Sequence, residues 1–355
     1  METYGGAERV TAELARVFPD APVFALLGRP EVARRMAIEE RFHSVLTPRP
    51  ALLRHYRLFA PAYPTIADRV RLPAAAVLLS SSYAYAHRFR TRNDAPQVCY
   101  SHSPLRFAWS MTEGYRERWA PRRLAAPGFR AFARIMRESD RRASVRVARF
   151  LTQSPFTADQ IESFYNREAD VVGVPIDCGL FSPGKEGPED FFLFSGRLIE
   201  PYKRVGVAIE AFRGSGRKLV VAGDGPAYTE LRAMAGPEVE FTGHLEDAEL
   251  VSLMRRCSAA VFPSRDDFGL VPVEVMACGR PVLAYRGGGA ETTVKAGVTG
   301  EFFDEQTPGA IREALDAFDA TRYDPAAIRA HAMQWDSVEF RRRVRAVVTE
   351  VARDR

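Results

Sequence analysis

The second half of the chain contains the feature that most constrains its fold: short runs of consecutive apolar residues that alternate with stretches of helical periodicity. The apolar runs lie at residues 191–195, 218–222, 239–242, 259–262 and 281–285. The helical patterns between them lie at residues 205–213, 227–235, 247–257 and 272–278. A strand that is apolar at every position is buried on both faces, as in parallel sheets whose strands are joined by crossover helices. The pattern therefore predicts a doubly wound α/β domain.

The first half shows a weaker form of the same alternation. Its candidate strands lie at residues 22–27, 76–80, 98–101 and 150–153, with helical or irregular stretches between them, notably 56–71 and 116–148. A chain of 355 residues exceeds what one hydrophobic core usually organises. Residues 175–190 contain three prolines and three glycines, which is typical of a linker. We therefore expect two α/β domains, at residues 1–176 and 191–334, joined by a linker at 177–190.

Charge and composition exclude several classes of protein. The chain has 50 basic and 45 acidic residues, which gives a net charge of +5. This small excess predicts a mild preference for anionic partners and is not typical of a nucleic-acid-binding protein. The chain has no apolar run long enough to cross a membrane, and we expect no secretory signal, because its first residues show no basic segment followed by an apolar stretch. Four scattered cysteines form no CxxC pair: Cys99, Cys178, Cys257 and Cys278. This usage predicts reduced thiols in a cytoplasmic protein.

Residues 130–149 contain seven arginines interleaved with apolar residues. One interpretation is the solvated face of a helix in an arginine-rich protein. The other is a basic surface that contacts anionic lipid, or a lipid-diphosphate acceptor, at the inner face of the membrane.

Three weaker motifs follow predicted strands of the second half. Gly196 ends the first strand and is followed by Arg197 and Lys203, whose fork of N–H donors and point charge suit a diphosphate. A Gly-Asp-Gly-Pro turn at residues 223–226 follows the second predicted strand of this half. A Thr-Gly-His segment at residues 242–244 ends the third. Surface cations, an ordinary β-turn and a solvated loop histidine explain the same three motifs without a ligand.

The most specific motif lies at residues 262–293. After a strand come Asp266 and a Phe-Gly-Leu segment at 268–270, then Pro272 where it can occupy a first helical turn, and Glu274 eight residues after Asp266. Gly269 permits close approach of a phosphate to backbone amides at the helix start. Glu274 can accept both hydrogen bonds of a ribose diol, and Asp266 can bind sugar hydroxyls. Helix capping is the alternative role for the two acids.

These motifs together resemble family 4 of the retaining GT-B glycosyltransferases. Residues 191–303 match its strand-GR…K site, its GDGP turn, its FxG strand and its E-x7-E donor motif. The segment DDFGLVPVEVMACGRPVLAYRGGGAETT is similar to the mannosyltransferase-like branch, as are GGAERV, VFALLG, LLSSSYAYAH and CYSHSPLRFAWS in the first half. The resemblance implies two Rossmann-like, doubly wound parallel-sheet domains that face a central cleft, with residues 335–355 as a helix packing back toward the N-terminal domain.

The resemblance also implies roles for individual residues. Donor-binding residues are expected at Gly5, Gly6, Gly196, Arg197, Lys203, Gly243, His244, Asp266, Phe268, Gly269, Leu270 and Glu274. Catalytic roles are expected for His102, Asp266, Arg197 and Lys203, and acceptor contacts for Ser101, His102, Arg106 and Trp109. Two positions depart from the family. Asp266 stands where glutamate is usual. Only four residues precede Gly5, so we expect either a truncated first strand or a domain that begins differently.

The implied activity is transfer of a sugar, with retention of anomeric configuration, from a nucleotide-sugar donor to a hydroxyl acceptor. GDP-mannose is the favoured donor, with UDP- and dTDP-sugars as further candidates, and the acceptor belongs to glycan, glycolipid or natural-product biosynthesis. No metal and no further cofactor are expected. The acceptor surface is expected at residues 56–63 and 101–118. Another GT-B enzyme, such as a sugar-nucleotide epimerase, and a catalytically silent nucleotide-sugar-binding protein are the alternatives. A nicotinamide-dependent dehydrogenase would require a GxGxxG motif after the first strand, and the GGAER segment at residues 5–9 does not supply it.

Overall fold

The computed structural model describes residues 5–47, 62–119, 126–185 and 187–354. The chain forms two compact units, Met1–Pro175 with Phe340–Arg355, and Ile176–Glu339. Most of the acceptor surface expected at residues 56–63 lies outside the described residues. No helix in the described ranges is long and apolar enough to cross a membrane.

The first unit is built around a parallel four-stranded sheet. The strands of this unit are β1 (Val23–Ala25), β2 (Phe42–Ser44), β3 (Arg71–Leu72), β4 (Leu78–Ser82), β5 (Arg90–Thr91), β6 (Gln97–Ser101), β7 (Arg149–Thr152) and β8 (Ala169–Val171). The main sheet has the order β4-β6-β7-β8, while β1 pairs with β2 and β3 with β5, all in parallel.

Six α-helices lie in the described residues that precede the second unit. They are α1 (Gly6–Val17), α2 (Pro30–Arg35), α3 (Tyr63–Arg69), α4 (Thr112–Trp119), α5 (Ala126–Ser144) and α6 (Pro155–Tyr165). The last helix described, Ser337–Arg353, belongs to the first unit from Phe340 onward. Its side chains at Phe340, Val344 and Val348 are buried, and the centroids of the Phe340 and Tyr100 rings lie 5.8 Å apart.

The second unit is one parallel sheet of six strands with helices between them. Its strands are β9 (Phe192–Ser195), β10 (Leu219–Ala222), β11 (Val239–Gly243), β12 (Ala259–Phe262), β13 (Val282–Tyr285) and β14 (Gly300–Phe303). Its helices are α7 (Val205–Phe212), α8 (Tyr228–Met234), α9 (Asp247–Arg256), α10 (Leu270–Ala277), α11 (Ala290–Thr293), α12 (Pro308–Ala317) and α13 (Pro325–Ala332), before α14 (Ser337–Arg353). Every residue of β9, β10 and β12 is buried, as predicted for a sheet covered on both faces.

The prediction of parallel-sheet α/β domains is confirmed. All five strands predicted in the second half are present within about one residue of their predicted ends. Strands β2, β3, β5 and β8 were missed because two or three residues are too few to show a period. Strand β14, with four residues, was missed as well.

The order of the second sheet, β11-β10-β9-β12-β13-β14, identifies where a ligand is expected. The chain runs outward from β9 to β11, then returns to lie beside β9 as β12 and continues outward on the other side. Loops that leave neighbouring strands in opposite directions open a crevice at the carboxyl ends of those strands. The switch point of this sheet lies between β9 and β12.

Candidate functional site

Four loops of the second unit meet at the carboxyl edge of its sheet. The loop after β9 contains Gly196, Arg197 and Lys203, and the loop after β12 contains Asp266 and Gly269. These two loops flank the switch point, and the loops after β10 and β11 lie beside them. The structure therefore brings the four predicted donor motifs of this unit to one sheet edge.

The GDGP turn supports the loop after β9. Gly223 has a φ of +145°, and a Cβ added there would lie 1.9 Å from the carbonyl oxygen of Gly196. A Cβ at Gly225 would lie 2.3 Å from the carbonyl oxygen of Leu198. The Gly196 amide donates to Ala222 across 3.0 Å. These glycines are required because the two loops approach each other backbone to backbone.

Lys203 and Asp266 join the loops on the two sides of the switch point. The Lys203 Nζ atom lies 2.5 Å from Asp266 Oδ2, and both side chains are largely buried, at 19% and 15% exposure. The ammonium also lies 5.2 Å from the ring centroid of Tyr202 and 5.9 Å from that of Phe262. Arg197 is exposed and forms no ion pair with any described residue. Lys203 thus reaches the sheet edge with its charge already balanced, whereas Arg197 offers an unbalanced charge.

The other oxygen of the Asp266 carboxylate lacks a partner. Asp266 Oδ1 is buried, and no described residue donates a hydrogen bond to it. The same is true of the hydroxyl of Ser264, two residues earlier, whose side chain is fully buried. A buried acceptor with no donor costs free energy unless a ligand or water supplies one. These two atoms mark a polar position that the chain itself leaves unfilled.

A glycine turn that the sequence analysis did not assign holds the Asp266 loop in place. The Gly289 amide donates to the carbonyl oxygen of Asp266 across 2.8 Å. A Cβ at Gly288 would lie 2.3 Å from that oxygen, and one at Gly289 would lie 2.1 Å from the Phe268 Cα atom. The three consecutive glycines at 287–289 were the available signal, since side chains there would displace the loop.

Helix α10 begins immediately after this loop. Gly269 occupies its N-cap with a φ of +86°, and no side chain among the described residues caps it. Pro272 lies in the first turn, as predicted, and Glu274 follows one turn into the helix with 4% exposure. Phe268 is buried, with its ring centroid 6.0 Å from that of Trp335. An uncapped helix start favours an anion, because the first amides point outward and the helix dipole is positive there.

Gly243 ends β11 with a φ of +72°, and its carbonyl oxygen accepts from the Gly223 amide across 2.8 Å. His244 is exposed. The first residue therefore supports the GDGP turn, while the second presents its ring to solvent.

The remaining predicted residues belong to the first unit. Gly5 is the N-cap of α1 in an extended conformation, so Gly5 and Gly6 open a helix as predicted. Glu8, in the first turn, is largely buried, and this burial raises the pKa of its carboxyl. A Cβ at Gly5 would lie 3.5 Å from Glu8 Oε2. A carboxyl thus lies beside the turn where a phosphate contact is expected.

His102 lies just after β6 and is buried. Its Nε2 atom is 2.9 Å from Ser81 Oγ, and its ring meets Tyr100 edge-on with centroids 5.0 Å apart. Burial, with a smaller contribution from the charge of Arg106, lowers the pKa of His102 to about 3. Its imidazole is therefore neutral at physiological pH. It can donate or accept a hydrogen bond but offers no positive charge to a ligand.

The other three predicted acceptor contacts have different environments. Ser101 is buried as the last residue of β6, and Arg106 is half-buried with its Nε donating to Ser103 across 3.2 Å. Trp109 is half-buried, and its role as an acceptor contact stays a prediction. Its indole N–H donates to Asp140 Oδ2 across 3.0 Å, and its ring stacks on Phe164 with centroids 4.8 Å apart. Its donor and one ring face are used in packing the unit.

Asp140 explains why Trp109 is held there. This carboxylate is fully buried and also accepts from Tyr165 across 2.7 Å, with His87 Nε2 at 3.1 Å from its other oxygen. Burial acts to raise the pKa of Asp140, but the contacts of His87, Tyr165 and Trp109 outweigh it and lower the pKa. The tryptophan is part of the shell that keeps a buried charge satisfied.

The arginine-rich stretch 130–149 lies mainly in α5. Most of its arginines contact partners inside the first unit: Arg130 with Glu113, Arg137 with Thr112, Arg141 and Arg142 with Glu138, Arg146 with Asp68, and Arg149 with Asp170. Ile135 and Val145 are each 67% exposed. The ion pairs favour a solvated helix face, and the membrane contact stays a prediction.

Among the described residues, no group of three or more histidine, cysteine, aspartate or glutamate side chains is placed to hold a metal ion. All four cysteines are buried free thiols, and burial raises the pKa of Cys99 to about 12.

Two family descriptions match consecutive parts of the chain. The family described as Glycosyltransferase Family 4 matches residues 4–179, and that described as Glycosyl transferases group 1 matches residues 180–334. The two matches meet near the boundary between the two units, which lies after Pro175.

Two curated relatives match parts of the chain. An uncharacterised glycosyltransferase of Methanocaldococcus jannaschii is 34% identical over 135 residues, which is 37% of this chain and 38% of the relative. A D-inositol 3-phosphate glycosyltransferase of Acidothermus cellulolyticus is 32% identical over 228 residues, 53% of this chain and 50% of the relative. The chain thus spans half or less of the length of these two relatives.

Solved structures match nearly the whole chain. Anabaena HepE, solved in complex with UDP and glucose, superposes with a TM-score of 0.71 at 18% identity, over 98% of this chain and 97% of that one. A glycosyltransferase of Rickettsia africae superposes with a TM-score of 0.63 at 14% identity, over 98% and 95%. At such identities the likeness shows a shared fold.

Proposed function

We propose a donor site and a reaction for this chain, which belongs to glycosyltransferase family 4 and has the two-domain GT-B fold. The chain is a glycosyltransferase. Its second unit binds a nucleotide sugar at the carboxyl edge of the six-stranded sheet, and the sugar passes to a hydroxyl acceptor with retention of its anomeric configuration.

The unfilled oxygen of Asp266 is the observation that carries the proposal. One carboxylate oxygen is fixed by Lys203, and the other is buried without a donor among the described residues. A sugar hydroxyl is a donor of suitable size for that oxygen. Lys203 and Asp266 together therefore suit a ligand that combines hydroxyl groups with an anion, as a sugar diphosphate does.

The other groups have complementary roles in this proposal. Arg197 and the first amides of α10 bind the diphosphate, and Lys203 turns from Asp266 toward the phosphates when the donor binds. Glu274 accepts hydrogen bonds from the ribose hydroxyls. Because Lys203 is neutralised by Asp266 without a donor, the site avoids burying an unpaired ammonium between turnovers.

The reaction follows from this charge distribution. The bond between the anomeric carbon and the diphosphate oxygen breaks while a bond to the acceptor oxygen forms on the same face. The acceptor proton passes to the departing diphosphate. Arg197, Lys203 and the oriented amides stabilise the charge that develops on that leaving group. We propose that these cations make a metal ion unnecessary, so that EDTA should leave the transfer rate unchanged.

A GDP-linked hexose, GDP-mannose first, is the donor we propose from the resemblance to the mannosyltransferase-like branch. A UDP-linked sugar is the second candidate because HepE, which shares the fold, was solved with UDP. Thermal unfolding with GDP, UDP and dTDP distinguishes the candidates, since a nucleotide at 100 times its Kd stabilises the folded chain by about 2.7 kcal/mol. Stabilisation by none of the three would contradict a nucleotide-sugar site.

Glu274→Gln tests the donor site directly. Loss of charged hydrogen bonds to the ribose costs about 1.5–3 kcal/mol, which is roughly a 10- to 100-fold fall in kcat/KM for sugar transfer. Glu230→Gln, at an exposed glutamate of α8, is the matched control. An unchanged kcat/KM in Glu274→Gln would remove the assignment, and NMR of the product's anomeric proton tests retention separately.

A further inference from the structure

A chain of three hydrogen bonds links the first helix to His102. The Thr11 hydroxyl lies 2.7 Å from the carbonyl oxygen of Ala7 and 2.7 Å from Ser81 Oγ. Ser81 Oγ lies 2.9 Å from His102 Nε2. All four residues belong to the first unit, and Ser81 lies on β4, next to β6 in the sheet.

Counting protons along this chain fixes the direction of every bond. A carbonyl oxygen only accepts, so the single proton of the Thr11 hydroxyl points at Ala7. Thr11 must then accept from Ser81, which uses the single proton of the serine hydroxyl. Ser81 in turn can only accept from His102. The neutral imidazole therefore has its proton on Nε2 and a lone pair on Nδ1.

The other polar groups of His102 are already engaged. Its amide donates to the carbonyl oxygen of Ser82 across 2.8 Å, and its own carbonyl oxygen accepts from Gln153 Nε2 across 2.7 Å. Nδ1 has no hydrogen-bond partner among the described residues. A ligand that hydrogen-bonds to His102 must therefore meet the lone pair of Nδ1.

We propose that Thr11 and Ser81 are positioning residues that hold His102 in its Nε2–H tautomer, so that Nδ1 accepts a hydrogen bond from a hydroxyl of the substrate. This extends the proposed function, on which the identity of the ligand rests. The donor in that contact has to be a hydroxyl or N–H group, because a carbonyl or phosphate oxygen would face the lone pair of Nδ1. Thr11 lies in the helix that begins at Gly6, so displacement of this helix alters the hydrogen bonding of His102.

The tautomer can be measured by NMR on the full chain labelled with ¹⁵N-histidine, with His102 assigned by its loss in His102→Gln. We expect a pyridine-type shift for Nδ1 and a pyrrole-type shift for Nε2. The opposite pair of shifts, or an average of the two in the wild-type chain, would overturn the proposal.

Three variants test whether Thr11 sets this state. Thr11→Val frees the Ser81 proton to turn toward Nε2, so the second tautomer becomes populated and the Nδ1 shift moves toward the average. Thr11→Ser keeps the hydroxyl and should restore the wild-type shifts. Ser80→Ala is the matched control, because Ser80 points to the opposite face of β4, where it accepts from Gln97 across 3.0 Å.

An unchanged Thr11→Val spectrum would remove Thr11 from the proposal. Equal shifts in Thr11→Val and Ser80→Ala would show a general structural effect and would also overturn it. In the transfer assay, equal population of the two tautomers lowers kcat/KM roughly twofold, and Thr11→Ser should prevent that loss. Absence of any sugar transfer by the wild-type chain would defeat the proposed function, whereas the NMR result is independent of turnover.

Discussion

Replacing His102 by glutamine should make the stability of the chain less sensitive to acid. In the folded chain the pKa of His102 is lowered from 6.5 to about 3, because the ring is buried and Arg106 lies near. In the unfolded chain the imidazole regains water and its ordinary pKa. Below pH 6.5 the unfolded state therefore binds a proton that the folded state does not, and this histidine lowers stability as the pH falls from 6.5 toward 3.

The magnitude follows from the two pKa values. A pH of 4.5 is two units below the pKa of His102 in the unfolded chain and still above its pKa in the folded chain. At this pH the histidine therefore lowers the free energy of unfolding by about 2.7 kcal/mol. At pH 7.5 this effect is close to zero. Glutamine keeps a polar side chain that can bond to Ser81 but does not titrate. The free energy of unfolding should therefore fall about 2.7 kcal/mol less between pH 7.5 and 4.5 in His102→Gln than in the wild-type chain.

Urea denaturation at the two pH values, followed by circular dichroism and tryptophan fluorescence, measures this difference. His43→Gln is the control, because His43 is an exposed histidine of the same unit. An equal loss of stability in wild type and His102→Gln would refute the reasoning. It would mean that the buried imidazole accepts a proton, and a protonated ring has no lone pair at Nδ1.

Three further outcomes test the packing and the donor site. Gly223→Ala should lower the free energy of unfolding by at least about 3 kcal/mol, because it adds backbone strain and overlap with the neighbouring loop. Gly214→Ala, with open space around its Cβ position, should show only the effect of the strain. Urea titration compares the two variants. Trp109→Phe removes a hydrogen bond to the buried Asp140 carboxylate and should cost about 1.5–3 kcal/mol in the same assay, and a neutral result would show that this carboxylate does not depend on the indole. Lys203→Met should weaken binding of the donor nucleotide diphosphate roughly 5- to 30-fold by calorimetry, and unchanged affinity would argue against a phosphate contact.

The sequence predicted those elements of the fold that depend on local patterns. Strands β9, β10 and β12 are apolar at every position, and that property is visible without knowing their neighbours. The start of α10 was equally visible, since glycine and proline mark it directly. The short strands of the first unit were not, because two or three residues carry too little pattern to distinguish strand from loop.

What the sequence by itself determined is therefore the parallel α/β architecture and the loops that carry the candidate donor residues. Only the tertiary structure decided which side chains meet. The Lys203–Asp266 pair joins positions 63 residues apart, and it exists because β12 returns to lie beside β9. Thr11 reaches Ser81 across 70 residues, and Trp109 reaches Asp140 across 31. Periodicity along a chain records burial, but the choice of partner depends on strand order and packing, which no local pattern contains.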